Sequence, residues 1–172
     1  MSSTAAVIGA TGLIGKLLLR SLVGSSYFRT VGEYGRRVTT PAPEGTAKLE
    51  QHVIDFENLD ESGLQGAAWD VVYITLGTTR ALAGSGEAFT RIDKDYVVNA
   101  ARQARVPGRK QRLVYLSSYG AHPTSIIPYS KSKGLTEREL AQIGYDEFIA
   151  LRPAVFRGVD RSGTARAGES FS

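Results

Sequence analysis

Cysteine is absent from the 172 residues, which excludes disulfides, thiolate nucleophiles and cysteine-ligated metals. It also fits a reducing compartment. Histidine is scarce: His52 and His122 stand far apart with no ligand spacing around either, so no metal site is expected. No apolar run approaches the roughly 18 residues that span a bilayer. No secretory signal is expected either, because the first basic residue is Lys16 and glycines interrupt the apolar stretch before it. That stretch is no Arg-rich amphipathic presequence either. Internal repeats and low-complexity blocks are lacking as well. What is present is ordinary for a globular protein, 42% hydrophobic and 22% charged with a net charge of +4, and the length suits one domain. The positive excess gathers in Arg102, Arg105, Arg109, Lys110 and Arg112. Such a cluster can meet phosphates or anionic lipid, but a solvated helix end and loop is the plainer reading. No recognition element for nucleic acid accompanies it, so no nucleic-acid partner is expected.

Strand-like and helix-like segments alternate. Ala5-Ala6-Val7-Ile8 is a short apolar run ending at Gly9 and suits a buried parallel strand. Gly12 to Val23 carries Leu13, Ile14, Leu17, Leu18, Leu22 and Val23 at helical spacing, and Gly24-Ser25-Ser26 stops it. Thr30 to Tyr34 reads as a weaker strand broken by Gly32 and Glu33, Thr39 to Gly45 as a loop, and Val53-Ile54 with Asp55 as a third strand. Val71 to Leu76 is the most convincing central strand, and Ala88 to Arg105 reads as one helix with Ile92, Tyr96, Val97 and Ala100 on a common face. Leu113 to Leu116 is another buried strand, Tyr129 to Ile143 a helix, and Phe148 to Leu151 a strand stopped by Arg152-Pro153. This order predicts an α/β protein of the Rossmann type: a doubly wound parallel sheet with helices on both faces. Residues 1–157 would form the NAD(P)-binding domain and 158–172 a polar, disordered tail.

In such sheets ligands bind beyond the carboxyl ends of the strands, and the motifs fall there. Gly9-Ala10-Thr11-Gly12-Leu13-Ile14-Gly15 has the spacing G-x-x-G-x-x-G between a strand and a helix, the context that gives the pattern weight. Gly9 permits the tight turn, Gly12 lets a pyrophosphate approach the backbone, and Gly15 lets the helix pack close to the sheet. Free N–H groups around Thr11, Leu13 and Ile14 would then meet the phosphates. An NAD site usually places an acid at the end of the second strand, for the ribose 2′-hydroxyl. Here the chain reads Gly35-Arg36-Arg37. Two guanidiniums suit a 2′-phosphate, so NADP(H) is favoured over NAD(H), with Glu33 expected inside the strand. Asp55 is a candidate partner of the adenine amino group. Leu76, Gly77 and Thr78 would line the cofactor ribose, Gly77 by allowing close backbone approach.

Tyr129 and Lys133 form a Tyr-x-x-x-Lys pair, and residues four apart on a helix share a face. A lysine ammonium beside a phenol favours phenolate. Such a tyrosine can pass a proton to or from a carbonyl or alcohol while hydride moves on a cofactor. Ser118 ends the strand a dozen residues earlier and is a candidate to hold the substrate oxygen. Lys133 is a second candidate for the nicotinamide ribose hydroxyls, and Lys131, two residues off that face, is expected in solvent.

The set Gly9, Gly12, Gly15, Ser118, Tyr129 and Lys133 resembles the short-chain dehydrogenase/reductase superfamily. Within it the chain resembles the atypical branch of Tat-interacting oxidoreductase-like proteins. The stretches that carry this are 74–80 (Ile-Thr-Leu-Gly-Thr-Thr-Arg), 91–97, 116–121 and Leu151-Arg152-Pro153. The resemblance implies NADP(H) binding and hydride transfer to or from an undefined carbonyl or alcohol. It also implies, from fungal members, peripheral association with the mitochondrial outer membrane. Two departures stand out. Relatives continue past Arg-Pro to a C-terminal lobe that shapes the substrate pocket, so the chain is expected to be a truncated form with that lobe largely missing. The asparagine many relatives use in a fourth catalytic role has no clear counterpart, since Asn99 falls off the expected position. The first departure keeps a second function open, a non-catalytic dinucleotide-binding regulatory or scaffold protein.

Overall fold

The computed structural model describes residues 3–42, 48–78 and 80–154; the expected tail at 158–172 and the end of the expected domain lie outside them. Six strands form one wholly parallel sheet: β1 (Ser3–Ile8), β2 (Phe28–Gly35), β3 (Leu49–Val53), β4 (Val71–Ile74), β5 (Arg112–Leu116) and β6 (Glu147–Leu151). Their spatial order is β3-β2-β1-β4-β5-β6. The order reverses between β1 and β4, and this is where such sheets open a crevice at their carboxyl ends. The expected Rossmann-type sheet is therefore the observed one.

Alternation along the strands divides the core between two faces. Ala5 and Val7 of β1 join Val31, Val71 and Val114 beneath helix α1 (Leu13–Gly24), which contributes Leu19, Leu22 and Val23. Ala6 and Ile8 point the other way, with Val72, Ile74, Leu113 and Tyr115, against helices α4 (Tyr96–Ala104) and α5 (Pro128–Ala141). Because both faces are covered, β1 reads as a continuous apolar run rather than an alternating one.

Three expectations are corrected. β2 is not broken at Gly32 and Glu33 but runs unbroken for eight residues. A Cβ at Gly32 would lie 2.4 Å from the Trp69 ring, so the glycine makes room for a core tryptophan instead of interrupting the strand. Glu33 tolerates full burial because its carboxylate accepts hydrogen bonds from the Thr39 N–H (2.8 Å), the Thr39 hydroxyl (2.7 Å) and the Gln51 amide (2.7 Å). The third strand lies earlier than expected, at 49–53, so Ile54 and Asp55 follow it. The helix expected from Ala88 to Arg105 runs from Gly86 to Ala104 without interruption but not as a uniform α-helix: a turn of π-helix (Arg91–Asp95) separates α3 (Gly86–Thr90) from α4, and the unforeseen α2 (Arg80–Ala83) precedes it. The π turn inserts extra backbone and shifts the helix's phase. Val97, Val98, Ala100, Ala101 and Ala104 are buried, whereas Ile92 and Tyr96 are only half-buried.

The arginine cluster is mostly paired within the fold. Arg105 donates to the carbonyls of Gly144 (2.8 Å) and Arg109 (2.7 Å) and lies over the Tyr145 ring. Arg112 bonds Glu147 at 2.6 Å and Arg109 bonds Asp70 at 2.7 Å. Burial pushes the Asp70 carboxyl up, but the Thr4 N–H (2.8 Å), the Thr4 hydroxyl (3.1 Å) and the Arg109 guanidinium outweigh it. Together they hold the carboxyl below the usual carboxylate range. A carboxyl depressed by folding stabilises the fold above its unfolded value of about 3.9, and that contribution is lost as pH falls through the folded value. Asp70→Asn is therefore expected to be less stable than the parent at neutral pH, with the gap closing in acid. Urea midpoints at two pH values test this, and an unchanged gap would refute it.

Candidate dinucleotide and proton-transfer site

The turn from β1 to α1 forms the bottom of the crevice. Gly9 has φ +93°, a region L side chains rarely adopt, and a Cβ there would lie 2.9 Å from the Leu76 nitrogen. At Gly15 a Cβ would lie 2.4 Å from the Gly9 carbonyl and 2.9 Å from the Thr75 hydroxyl. Both glycines are demanded by the protein's own packing. Gly12 differs. It caps α1 in extended backbone with no side-chain cap, and a Cβ there would meet only the Gly9 carbonyl, at 3.4 Å. The protein leaves the space over Gly12 open, beside the first amides of α1, where Thr11 and Ile14 are half-buried and Leu13 is exposed. An open cradle of backbone amides at a strand-to-helix turn fits a diphosphate.

At the end of β2, Arg36 and Arg37 are both exposed. Glu33, with its carboxylate bound to Thr39 and Gln51, is buried away from them. The same contacts tie the loop after the arginines back to the sheet. Asp55 is exposed past β3, and its Oδ1 accepts from the Glu57 N–H at 3.0 Å, which turns half the carboxylate onto its own loop. Beyond it Phe56 stacks on Tyr96, with ring centroids 5.2 Å apart. The bond from its hydroxyl to Glu57, then burial, pushes the Tyr96 phenol up.

β4 ends at Ile74, so Leu76, Gly77 and Thr78 lie just past it on the crevice floor; Thr79 is outside the described residues. A Cβ on Gly77 would stand 3.4 Å from Asp93 Oδ1 and 3.5 Å from Lys133 Nζ. Gly77 therefore roofs a charged pair with bare backbone.

On the far side, Tyr129 is the second residue of α5, half-buried, with its ring 6.2 Å from Phe89. Ser118 is half-buried two residues past β5. Two contacts clamp the intervening loop onto α5. The His122 N–H donates to the Ser130 carbonyl at 3.1 Å, and Gly134 packs so closely that a Cβ would lie 2.3 Å from the His122 carbonyl carbon. Arg152, from the end of β6, bonds Glu137 of α5. The Leu-Arg-Pro stretch is thus an anchor for the helix that carries Tyr129. Lys131 is exposed, as its position off the active face predicts.

Lys133 is where sequence reasoning was least complete. Its ammonium lies 5.8 Å from the Tyr129 ring centroid. It also donates to the Tyr115 hydroxyl at 2.9 Å and lies 3.1 Å from Asp93 Oδ1, off the hydrogen-bonding direction. Asp93 Oδ2 accepts from the Ser132 hydroxyl at 3.3 Å. Burial, and then the charge of Asp93, pushes the Tyr115 phenol far up, so Tyr115 meets the ammonium as a neutral dipole. Neither Asp93 nor Tyr115 was singled out from the sequence. Asp93 sits in the charged run Arg-Ile-Asp-Lys-Asp, which reads as a solvated surface, and Tyr115 sits in a strand. Asn99 is exposed on α4, beside Asn58 and Arg102 in a shallow groove, away from this pair.

A wholly parallel sheet in this order, a glycine-lined cradle at its reversal and Tyr129 with Lys133 at the same edge define a Rossmann-type protein with a dinucleotide-binding fold. The sequence profile of the NAD dependent epimerase/dehydratase family matches residues 5–146, and the chain belongs to that family. It is similar to the rat (Rattus norvegicus) protein HTATIP2, 38% identical over 149 residues covering 87% of this chain and 61% of the rat protein. It is similar also to protein fmp52-1, mitochondrial, of Aspergillus terreus, 35% identical over 158 residues, 91% of this chain and 68% of that one. Relatives of this kind place the chain in the branch its motifs resemble. Its fold matches that of a nucleoside-diphosphate-sugar epimerase from Agrobacterium tumefaciens with a TM-score of 0.71 at 23% identity, over 88% of this chain and 52% of the other.

Proposed function

We propose that this chain is the cofactor-binding core of an NADP(H)-dependent oxidoreductase acting on a carbonyl or alcohol. The observation that carries the reading is the open space over Gly12, in a turn whose other two glycines are closed by packing. Gly9, Thr11, Gly12, Leu13, Ile14 and Gly15 would hold the diphosphate, Arg36 and Arg37 the 2′-phosphate, and Leu76, Gly77 and Thr78 the ribose. Asp55 retains one free carboxylate oxygen for the adenine edge. Bound there, the nicotinamide supplies or accepts the hydride. The chain's own part is the proton: Tyr129 gives it to the nascent alkoxide in reduction, or takes it from the alcohol in oxidation. Lys133 supports the phenolate and would donate to the nicotinamide ribose hydroxyls, and Ser118 orients the substrate oxygen.

NADPH is expected to bind more tightly than NADH. Arg36→Ala/Arg37→Ala should lower the NADPH affinity about 10- to 100-fold, the worth of one or two charge-assisted bonds to phosphate, and leave NADH nearly unaffected. Fluorescence titration of both nucleotides measures this, and equal affinities in the parent protein would defeat the assignment. The second reading is a dinucleotide-binding regulatory protein without turnover; the chain spans 61% of the length of the rat relative. Oxidation of NADPH with a panel of carbonyls separates the two.

We also infer a mitochondrial association, supported by the fungal relative's name. No helix among the described residues is long and apolar enough to cross a membrane.

A further inference from the structure

We propose that Asp93 is a positioning residue of the proton-transfer site: its carboxylate is the counter-charge that holds the Lys133 ammonium in place beneath Tyr129. This rests on the roles of Lys133 and Tyr129 proposed above.

The side chains of Lys133 and Asp93 are 3% and 0% exposed. An ammonium buried that deeply without an anion gives up its proton, because low-dielectric surroundings penalise the charged form. Among the described residues, the groups facing Lys133 leave one anion for the task. From β5 comes Tyr115, held neutral by burial. From α5 come the Tyr129 ring, and Glu137 one turn further on, which is bound to Arg152. From the loop after β4 comes Gly77, with no side chain. From the π turn comes Asp93, at 3.1 Å.

The π turn gives the placement its backbone cause. It breaks the helical register at Arg91–Asp95 and carries Asp93 into the interior, while Lys94 beside it reaches outward to Glu139 at 3.0 Å. The Ser132 hydroxyl fixes the carboxylate from α5, one residue before the lysine. Asp93, itself fixed by Ser132, and the Tyr115 hydroxyl thus hold the ammonium from two different elements, and its place does not depend on lysine's flexible stem alone.

Removing one member of a buried pair leaves the other uncompensated, and this makes the role measurable. In the parent, NADPH affinity is expected to be flat between about pH 7 and 9.5. In Asp93→Asn the ammonium has no counter-charge, and affinity should fall about tenfold or more across that interval as Lys133 loses its proton. In Asp93→Asn/Lys133→Met the affinity should be weak but flat again. An Asp93→Asn protein as flat as the parent would overturn the proposal. A second measurement needs no nucleotide. Lys133→Met strands the Asp93 carboxylate, whose neutral form is then favoured, so its melting temperature should rise relative to the parent as pH falls from about 8 to 5. The double variant should show no such rise. If Lys133→Met tracks the parent at every pH, the pairing is refuted. If the melts behave as expected while the parent binds no NADPH, the pairing stands and the dinucleotide reading is what fails. Should Asp93→Asn not fold at neutral pH, recovery of the fold on adding Lys133→Met carries the same conclusion.

Discussion

Tyr129→Phe is expected to lower turnover about 10²- to 10⁴-fold, the usual worth of a positioned general acid or base, while NADPH affinity stays close to the parent's. The substitution removes one hydroxyl and keeps the ring. The contact of Tyr129 with Phe89 survives, the clamp of His122 on Ser130 is untouched, and Lys133 keeps both Asp93 and Tyr115. A loss confined to kcat therefore reports the proton and not the scaffold. The assay uses whichever carbonyl the parent protein reduces in a panel, followed through NADPH absorbance, with a binding titration alongside. Full turnover in the Phe variant would remove Tyr129 from the reaction. No turnover in the parent, with NADPH bound, would favour the regulatory reading.

The second large effect is at Gly12. Gly12→Val is expected to fold with a stability within about 1 kcal/mol of the parent, since the position is extended backbone that lacks a side-chain cap already. The added Cβ has ordinary contact distance to its one protein neighbour, the Gly9 carbonyl. Its methyls would occupy the space above the first amides of α1, where a diphosphate must come within hydrogen-bonding distance. NADPH affinity should fall at least about 100-fold, the loss of two or more bonds to charged oxygens. Gly15→Ala is the internal contrast. Its Cβ would lie 2.4 Å from a carbonyl oxygen, so this variant should lose stability as well as binding. Melting curves and fluorescence titrations on both variants separate them. Tight NADPH binding by the Gly12→Val protein would place the nucleotide elsewhere or nowhere.

These expectations draw unequally on sequence and structure. The spacing of Gly9, Gly12 and Gly15, the apolar runs of β1, β4 and β5 and the helical period of α1 are local facts. Local backbone preference and side-chain period act within a few residues, so they are legible without coordinates. The same alternation predicts a doubly wound parallel sheet, but the strand order within it is set by the tertiary structure, since more than one order satisfies the pattern. Expectations failed where a residue's behaviour depended on a distant partner. Gly32 reads as a strand breaker until Trp69 is seen packed on it. Arg105 reads as part of a solvated patch until the carbonyls of Gly144 and Arg109 and the Tyr145 ring take it up.

Taken by itself, the chain of residues determined the sheet, the glycine turn and the Tyr129–Lys133 spacing, since each is written in neighbours close along the backbone. Only the tertiary structure decided which charges are buried and what meets them. It sent Glu33 to Thr39 and Gln51, left Arg36 and Arg37 in the open, and through one π turn placed Asp93 against Lys133. The physical reason is that an ionised group tolerates the interior only beside a compensating partner. That partner comes from another element of the fold, at a distance no local pattern records.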